Sequence, residues 1–282
     1  PSGHFFNFRR KYMEYIKKIR EKTPLIHFIT NYVTVNDVAN ATLAIGASPI
    51  MTDEINDAVD MQNICDALVI NIGTLNERTV KTMIAAGKKA NELGHVVVLD
   101  PCGVGATPYR NEVINKLLEE VKFDCIKGNI SEIKAMANVS SKTNGVDACE
   151  ADKTTRENMH DVFKFAKELS KKTGAVIAIT GPIDVIADDK FAYISDNGCK
   201  EMRNITGTGC MTAGIIAASL VANKEDKLKA SCAGVIILGL AGELANSYAK
   251  GTGTLHIGLI DELSNMNDKI LEEGAKIERF EI

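Results

Sequence analysis

The chain has 282 residues, of which 45% are hydrophobic, and its formal net charge is −4 at pH 7. A chain of this length and apolar content can bury the full core of one α/β domain. The acidic balance argues against nucleic acid or a membrane as a partner and favours small-molecule chemistry.

The N-terminal segment 8–22 is charged and amphipathic and has no apolar stretch typical of a signal peptide. We therefore predict a helical extension over residues 1–22, whose first few residues are compatible with an artificial addition, followed by one domain over 23–282. The seven cysteines form no C-x-x-C pair and no cluster with histidine. This pattern argues against a zinc site or a disulfide framework and indicates a reducing cytoplasm.

Short apolar runs predict buried parallel strands, and longer amphipathic runs between them predict helices. The predicted strands are 26–30, 67–72, 96–100, 125–127 and 176–180, and the predicted helices are 35–45, 77–93, 111–121 and 159–173. A hairpin is expected over 184–187 and 191–195, helices over 211–221 and 227–250, and a loop over 140–155. This alternation is typical of a layered α/β sheet with right-handed crossovers.

Polar residues follow the predicted strands, at the sheet edge where open α/β proteins bind ligands. Asp100 ends the third strand and begins a glycine-rich run that extends to Thr107. Its carboxylate fits a role in holding Mg²⁺ or a substrate hydroxyl, and it fits equally well a cap of the loop. Asn129 and Glu132 follow the fourth strand and share one face of a helical turn. They suit a metal-bound phosphate or, with even weight, an N-cap paired with a glutamate at the third helical position.

The segment Gly207-Thr208-Gly209-Cys210 leads directly into an apolar helical run. Such a junction concentrates unpaired N–H groups at the positive end of a helix and so favours an anion, with Cys210 beside it. An ordinary glycine-rich turn is the alternative interpretation. The chain has no P-loop, protein-kinase or G-x-S-x-G motif. His27 lies in an apolar strand and is interpreted as a core or pocket-lining residue.

Seven motifs occur in order along the chain. They are Asn31-Tyr32-Val33-Thr34-Val35-Asn36, Pro49-Ile50-Met51, Asn71-Ile72-Gly73-Thr74-Leu75, Asp100-Pro101-Cys102-Gly103-Val104-Gly105-Ala106-Thr107, Lys127-Gly128-Asn129-x-Ser131-Glu132, Gly145-Val146-Asp147 and Gly207-Thr208-Gly209-Cys210. Together they resemble the hydroxyethylthiazole kinase family of the ribokinase-like superfamily, from about residue 20 to residue 265. The resemblance implies a three-layer fold in which helices flank a central, mostly parallel sheet.

The resemblance further implies ATP-dependent phosphorylation of the primary hydroxyl of 5-(2-hydroxyethyl)-4-methylthiazole in thiamine salvage. It implies Mg²⁺ as cofactor and a homotrimer with sites at the subunit interfaces. A hydroxymethylpyrimidine-type kinase, an ATP-dependent hydrate dehydratase and a non-enzymatic ligand sensor remain as alternatives, the sensor being the least favoured.

Site residues are carried over by position. The resemblance implies a thiazole pocket formed by Asn31, Val33, Met51, Gly73 and Gly207, ATP contacts from Lys127, Thr180 and Asn129, metal binding by Asp100 and Glu132, and catalysis by Cys210 with the turn of Gly207, Thr208 and Gly209. Many relatives have arginine at the Lys127 position, so the charge is kept here but the bidentate phosphate contact is lost. The wider superfamily usually has aspartate where Cys210 stands.

Overall fold

The computed structural model describes residues 14–140 and 153–282. Over these ranges one sheet is formed by the strands β1 Leu25–Ile29, β2 Ser48–Met51, β3 Ala67–Asn71, β4 Val96–Asp100, β5 Cys125–Asn129, β6 Val176–Thr180, β7 Asp184–Ala187, β8 Phe191–Ser195 and β9 Ile277–Glu281. Their order across the sheet is β2-β1-β3-β4-β5-β6-β7-β8-β9. The strands from β2 to β6 pair in parallel, whereas β7, β8 and β9 add to the sheet antiparallel.

Helices cover both faces of the sheet. They are α1 Tyr15–Lys22, α2 Val35–Ala44, α3 Ile55–Met61, α4 Glu77–Leu93, α5 Pro108–Glu120, α6 Ile130–Ser140, α7 Met159–Thr173, α8 Thr208–Ala222, α9 Lys227–Asn246, α10 Thr252–Asn265 and α11 Asp268–Gly274, with a 3₁₀ helix at Lys200–Asn204. One core cluster joins the sheet to α1, α2 and α8 to α11, and another joins it to α3 to α7. The predicted three-layer fold is confirmed. Both faces of the central strands are buried, which explains their continuous apolar runs.

Helices α8 and α9 form the centre of the first core cluster. Every residue of α8 from Cys210 to Val221 is buried. A Cβ on Gly234 would lie 2.7 Å from Cα of Ile216, so this glycine allows the two helices to approach closely. By length and composition α9 could cross a membrane, but 83% of its most apolar stretch is buried inside the protein, the environment of a core helix. The start of α8 is therefore held by packing along the whole helix.

The predicted strands and helices are present, with shifted ends. The first strand ends at Ile29 rather than residue 30, and the helix predicted to reach residue 250 ends at Asn246. The helix predicted from residue 111 begins at Pro108, because the Thr107 side chain accepts the Arg110 N–H and caps it. Helix α1 packs on α8, and its Ile16 and Ile19 belong to the same core. The division of the chain into 1–22 and 23–282 stays a prediction. Residues 145–147 and most of the predicted 140–155 loop lie outside the described residues.

Candidate active site

Two adjoining cavities lie at the carboxyl ends of the parallel strands, next to the start of α8. The smaller has a volume of about 370 Å³ and the larger about 680 Å³. Three residues line both of them, namely Asn129, Thr180 and Gly209. A small molecule in the smaller cavity would therefore meet a larger molecule in the other cavity at the first turn of α8.

The smaller cavity brings together most of the residues that the sequence predicts for the site. Its walls include Asn31, Val33, Gly73, Asp100, Lys127, Asn129, Glu132, Thr180, Gly207, Gly209 and Cys210, together with Thr34, Cys102 and Thr206. Thr208 lines the larger cavity. Met51 lines neither of these cavities: it lies on β2 at the edge of the sheet, paired in register with Phe28, and packs against the core. Its part in a thiazole pocket stays a prediction.

The turn before α8 has the geometry expected for an anion site. Gly207 adopts a left-handed conformation, with φ of 87°, and its carbonyl accepts the N–H of Met211. The N–H groups of the first turn, from Thr208 to Cys210, precede that bond and have no partner within the helix. A Cβ on Gly209 would lie 2.9 Å from Nζ of Lys127, so the lysine ammonium reaches the same turn. A buried cation and a helix N-terminus both favour a negatively charged group at this point.

Lys127 projects from β5 and meets a carboxylate of the neighbouring strand. Its Nζ lies 3.8 Å from Oδ2 of Asp100, and both side chains are almost completely buried. Burial raises the pKa of Asp100 to about 7 even though Lys127 opposes the rise. Burial would lower the pKa of Lys127, but attraction to Asp100 and Glu132 raises it overall. The lysine is thereby held as a cation.

Cys210 is the hydrogen-bond acceptor at the centre of the smaller cavity. Its Sγ accepts from Nδ2 of Asn31 and from Nδ2 of Asn71, each at 3.3 Å. A hydrogen bond with the Cys102 thiol lowers the pKa of Cys210, burial opposes this, and the charge of Lys127 lowers it further. The same contact raises the pKa of Cys102. Cys210 is therefore the member of the thiol pair that more readily becomes a thiolate, the form that accepts a proton.

Asn129 and Glu132 form a capping box at the start of α6. The N–H of Glu132 donates to Oδ1 of Asn129 at 2.8 Å, and the N–H of Asn129 donates to Oε2 of Glu132 at 2.9 Å. The other carboxylate oxygen, Oε1, accepts the N–H of Gly103 at 2.9 Å. Glu132 thus caps the helix, fixes the glycine-rich loop after β4 and lines the smaller cavity. The capping interpretation is confirmed, and a metal role for the pair stays a prediction.

The two predicted metal-binding carboxylates fit a cation that arrives with phosphates. Among the residues that the structure describes, no group of three or more His, Cys, Asp or Glu side chains could hold a metal ion. Mg²⁺ commonly binds through one or two carboxylates, waters and substrate phosphates rather than in a protein cage. Asp100 and Glu132, which line the same cavity, match that donor set.

An arginine holds the loops that follow β3 and β4. Nη1 of Arg110 donates to the carbonyl groups of Ile72 and Cys102, at 2.6 and 2.8 Å, and Nη2 donates to that of Gly73 at 2.7 Å. These bonds connect α5 to both loops and fix the backbone on one side of the smaller cavity. The sequence gives no direct sign of this contact, since Arg110 follows the glycine-rich motif without belonging to it.

The larger cavity has walls that sequence reasoning missed. The 3₁₀ helix contributes Lys200, Met202 and Arg203, and α9 contributes Val235 and Leu238. Asp184 also lines it, accepting the N–H of Gly181 at 2.9 Å, and burial raises its pKa to about 7. The cavity thus combines apolar side chains with cations. Of these five residues and Asp184, only Asp184 could have been suspected from the sequence, because it begins the predicted hairpin just after Thr180-Gly181.

Comparison with known proteins identifies the family. A sequence model of the hydroxyethylthiazole kinase family matches residues 16–269. The chain belongs to the hydroxyethylthiazole kinase family. A hydroxyethylthiazole kinase of Ruminiclostridium cellulolyticum is 50% identical over 264 residues, which cover 93% of this chain and 95% of that protein. The family resemblance of the seven motifs is thereby confirmed.

Solved structures agree with this family and with its fold. A hydroxyethylthiazole kinase protein from Pyrococcus horikoshii superposes with a TM-score of 0.85 at 33% identity, covering 95% of this chain and 98% of that one. A more distant match is an ADP/ATP-dependent NAD(P)H-hydrate dehydratase from Bacillus subtilis, co-crystallized with ATP/Mg²⁺. It has a TM-score of 0.57 and 16% identity, and covers 87% of this chain and 91% of that one, which shows a common fold alone. The predicted ribokinase-like fold of this chain is thereby confirmed.

Proposed function

We propose that this chain transfers the γ-phosphoryl group of ATP to the primary hydroxyl of 5-(2-hydroxyethyl)-4-methylthiazole, for thiamine salvage. Family membership makes the chain a kinase for this class of alcohol. The observation that carries the proposal is the meeting of the two cavities at Gly209, where Lys127 reaches the first turn of α8. The alcohol occupies the smaller cavity and ATP the larger.

In the proposed reaction the hydroxyl oxygen attacks the γ-phosphorus directly. A bond forms between these two atoms while the bond from the γ-phosphorus to the bridging oxygen of ADP breaks. The proton of the hydroxyl passes to Sγ of Cys210, whose lowered pKa supports this role. The products are ADP and the phosphate ester of the alcohol.

Negative charge on the transferred group is stabilised mainly by fixed positive groups. The N–H groups of the first turn of α8 and the Lys127 ammonium are already placed around the shared region before substrates bind, so little reorganisation is needed. Mg²⁺ bound with the triphosphate would neutralise further charge, and Asp100 and Glu132 are the residues that would hold it. A dehydratase of the same fold was co-crystallized with ATP/Mg²⁺, so this fold can accommodate the two together.

The larger cavity is proposed to hold the nucleotide. Thr180 and Asn129 contact the triphosphate where the cavities join, and Arg203 faces it from the 3₁₀ helix. The apolar side chains of Met202 and Leu238 suit the flat adenine ring.

The active form is proposed to be a cytoplasmic homotrimer. Tyr32, Val33 and Leu43, which lie between β1 and the end of α2, are 79%, 59% and 56% exposed. Strand β2, which carries Met51, is an edge strand of the sheet. Covering these apolar side chains with a neighbouring subunit would complete the thiazole pocket and bury surface that is otherwise costly to expose.

An assay of ADP release with a set of alcohols tests the proposal. The protein is incubated with ATP, Mg²⁺ and one of three substrates, namely the thiazole alcohol, a hydroxymethylpyrimidine or an NAD(P)H hydrate, and the organic products are identified by mass spectrometry. We expect ADP and the phosphate ester of the thiazole alcohol in equal amounts. A preference for the pyrimidine would indicate a hydroxymethylpyrimidine-type kinase. ADP release together with dehydration of the hydrate would indicate a hydrate dehydratase, and binding without ADP release would indicate a sensor.

A further inference from the structure

Asn71, the last residue of β3, is buried behind the smaller cavity and uses all of its hydrogen-bonding capacity. Its Nδ2 donates to Oδ2 of Asp100 at 2.8 Å and to Sγ of Cys210 at 3.3 Å. Its Oδ1 accepts Nδ2 of Asn31 at 3.0 Å and the N–H of Gly73 at 2.8 Å. A side-chain amide offers two donors and two acceptor positions, so none is left over. Asn71 is only 2% exposed and lines neither cavity, so it contacts no substrate there.

Backbone groups determine which way this amide points. The N–H of Gly73 can only donate, so the oxygen of Asn71 must face it and the nitrogen must face Asp100 and Cys210. The same argument applies to Asn31, whose oxygen accepts the N–H of Thr34 at 3.1 Å. The nitrogen of Asn31 is thereby turned toward Cys210. Two backbone N–H groups thus fix two amides in the orientation that directs two N–H donors at one sulfur atom.

We propose that Asn71 is a positioning residue for phosphoryl transfer, which holds the Cys210 sulfur as a hydrogen-bond acceptor facing the smaller cavity. The inference rests on the proposed function, because the reaction gives the sulfur its task. Asp100 and Gly73 anchor the amide, and Cys210 is the group that the amide positions. Donors directed at the sulfur stabilise its anionic form and fix its rotamer. Their loss therefore raises the pKa of Cys210 and leaves the sulfur free to turn away from the substrate hydroxyl.

The experiment is a double-mutant cycle with Asn71→Ser and Cys210→Ala. Serine is too short to bridge to the sulfur and introduces no charge. We expect Asn71→Ser to lower kcat by about 10- to 100-fold and to leave KM for ATP unchanged. This loss is smaller than the 10²–10⁴-fold that general-base help supplies, because the Cys210 sulfur is still present. In the Cys210→Ala background, the fold-loss of kcat that Asn71→Ser causes should be at least ten times smaller than in the native background. Asn76→Ser is the matched control, because serine also serves as the N-cap of α4.

A second measurement needs no substrate. Cys210 lines the smaller cavity, so the rate of its alkylation by iodoacetamide can be followed by peptide mass spectrometry. We follow this rate as a function of pH, because the thiolate is the reactive form. Loss of a hydrogen bond to the thiolate should raise the pH midpoint of alkylation by about one unit in Asn71→Ser, whereas Asn76→Ser should keep the native midpoint. If Asn71→Ser does not fold, Asn71→Thr takes its place in both measurements, because threonine suits the end of a strand, introduces no charge and is also too short to bridge to the sulfur.

Two results would overturn the proposal: an equal loss of kcat with and without the Cys210 sulfur, or an unchanged pH midpoint of alkylation in a folded variant. The first would mean that Asn71 acts only through Asp100 or through the fold. Failure of the native protein to phosphorylate the thiazole alcohol would instead count against the proposed function. The alkylation measurement would still decide whether Asn71 holds the sulfur.

Discussion

Glu132 offers the sharpest test of the candidate metal face, because the structure assigns its two carboxylate oxygens to different backbone groups. Oε2 accepts from Asn129 within the capping box, and Oε1 accepts from Gly103 in the glycine-rich loop. The substitution Glu132→Gln keeps the shape and leaves one acceptor oxygen. The amide nitrogen must then face one of the two N–H donors. A capping box alone would tolerate glutamine, so the Gly103 contact changes the expected cost.

The magnitude follows from those two bonds. A hydrogen bond to a charged group contributes about 1.5–3 kcal/mol, and the partly exposed position of Glu132 reduces this toward the lower end. We expect Glu132→Gln to lower the free energy of unfolding by about 1–2 kcal/mol. In a domain of similar size, each kcal/mol lowers the thermal midpoint by roughly 2–4 °C. If the carboxylate also holds Mg²⁺ with the phosphates, kcat should fall by orders of magnitude, far more than this loss of stability explains.

Thermal unfolding and steady-state kinetics at several Mg²⁺ concentrations measure the two effects separately. Glu119→Gln is the matched control, since Glu119 is exposed on α5, and it should change neither quantity. A folded Glu132→Gln protein with native kcat would leave the residue as a cap and loop anchor only. A loss of stability below about 0.5 kcal/mol would refute the inference that both backbone bonds matter, because either bond alone should exceed that value.

Three further predictions concern the turn, the thiol and the assembly. Gly207→Ala should lose about 1–2 kcal/mol of stability, because alanine is strained in the left-handed backbone conformation. It should also lose most of its kcat, because the new Cβ would lie 3.0 Å from Cγ2 of Thr34. Gly94→Ala, at a φ of 70° with open space around it, is the control that should show the strain alone, and thermal unfolding and ADP release compare the two variants. Cys210→Ala should keep measurable turnover in the coupled assay and Cys210→Asp should restore it to the native order or above, whereas a phosphorylated thiol trapped with ATP alone would contradict direct transfer. Sedimentation should find a trimer, and thermal unfolding should give a midpoint that rises with protein concentration. A monomer that is fully active at nanomolar dilution would count against a site at the subunit interface.

The central sheet was predictable because its strands are buried on both faces. Val96–Asp100 and Val176–Thr180 form apolar runs of strand length, and the structure places strands at these positions. Strand β2 was not predicted, since it has four residues, includes Pro49 and lies at the sheet edge, where none of its side chains is fully buried. Only the start of helix α6 was indicated, by the capping interpretation of Asn129 and Glu132. Its extent to Ser140 was not predicted, because the helix follows β5 at Ile130 without an intervening turn.

The candidate site was predictable as a set of strand ends and not as a network. The convergence of Asp100 and Glu132 follows from parallel topology, which the alternation of strands and helices indicated. Cys210 follows no parallel strand and was found from the glycine-rich turn that begins α8. The role of Asn71 depends on which way its amide points, and only the backbone N–H of Gly73 decides that. The walls of the larger cavity come from the 3₁₀ helix and α9, which follow no strand, so a search of strand ends passes over them.

The position of the candidate site follows from the burial of α8. A helix that is apolar on all sides cannot shift or rotate without exposing some of its side chains, so packing against α9 and the sheet fixes the place of its first turn. That turn separates the cavities: Thr208 lines the larger, Cys210 the smaller and Gly209 both. The proposed transfer needs both a cation and open space beside Gly209. A side chain at this position would displace the Lys127 ammonium, so glycine meets both needs. Burial of α8 therefore holds in place the groups that are proposed to act on the substrates.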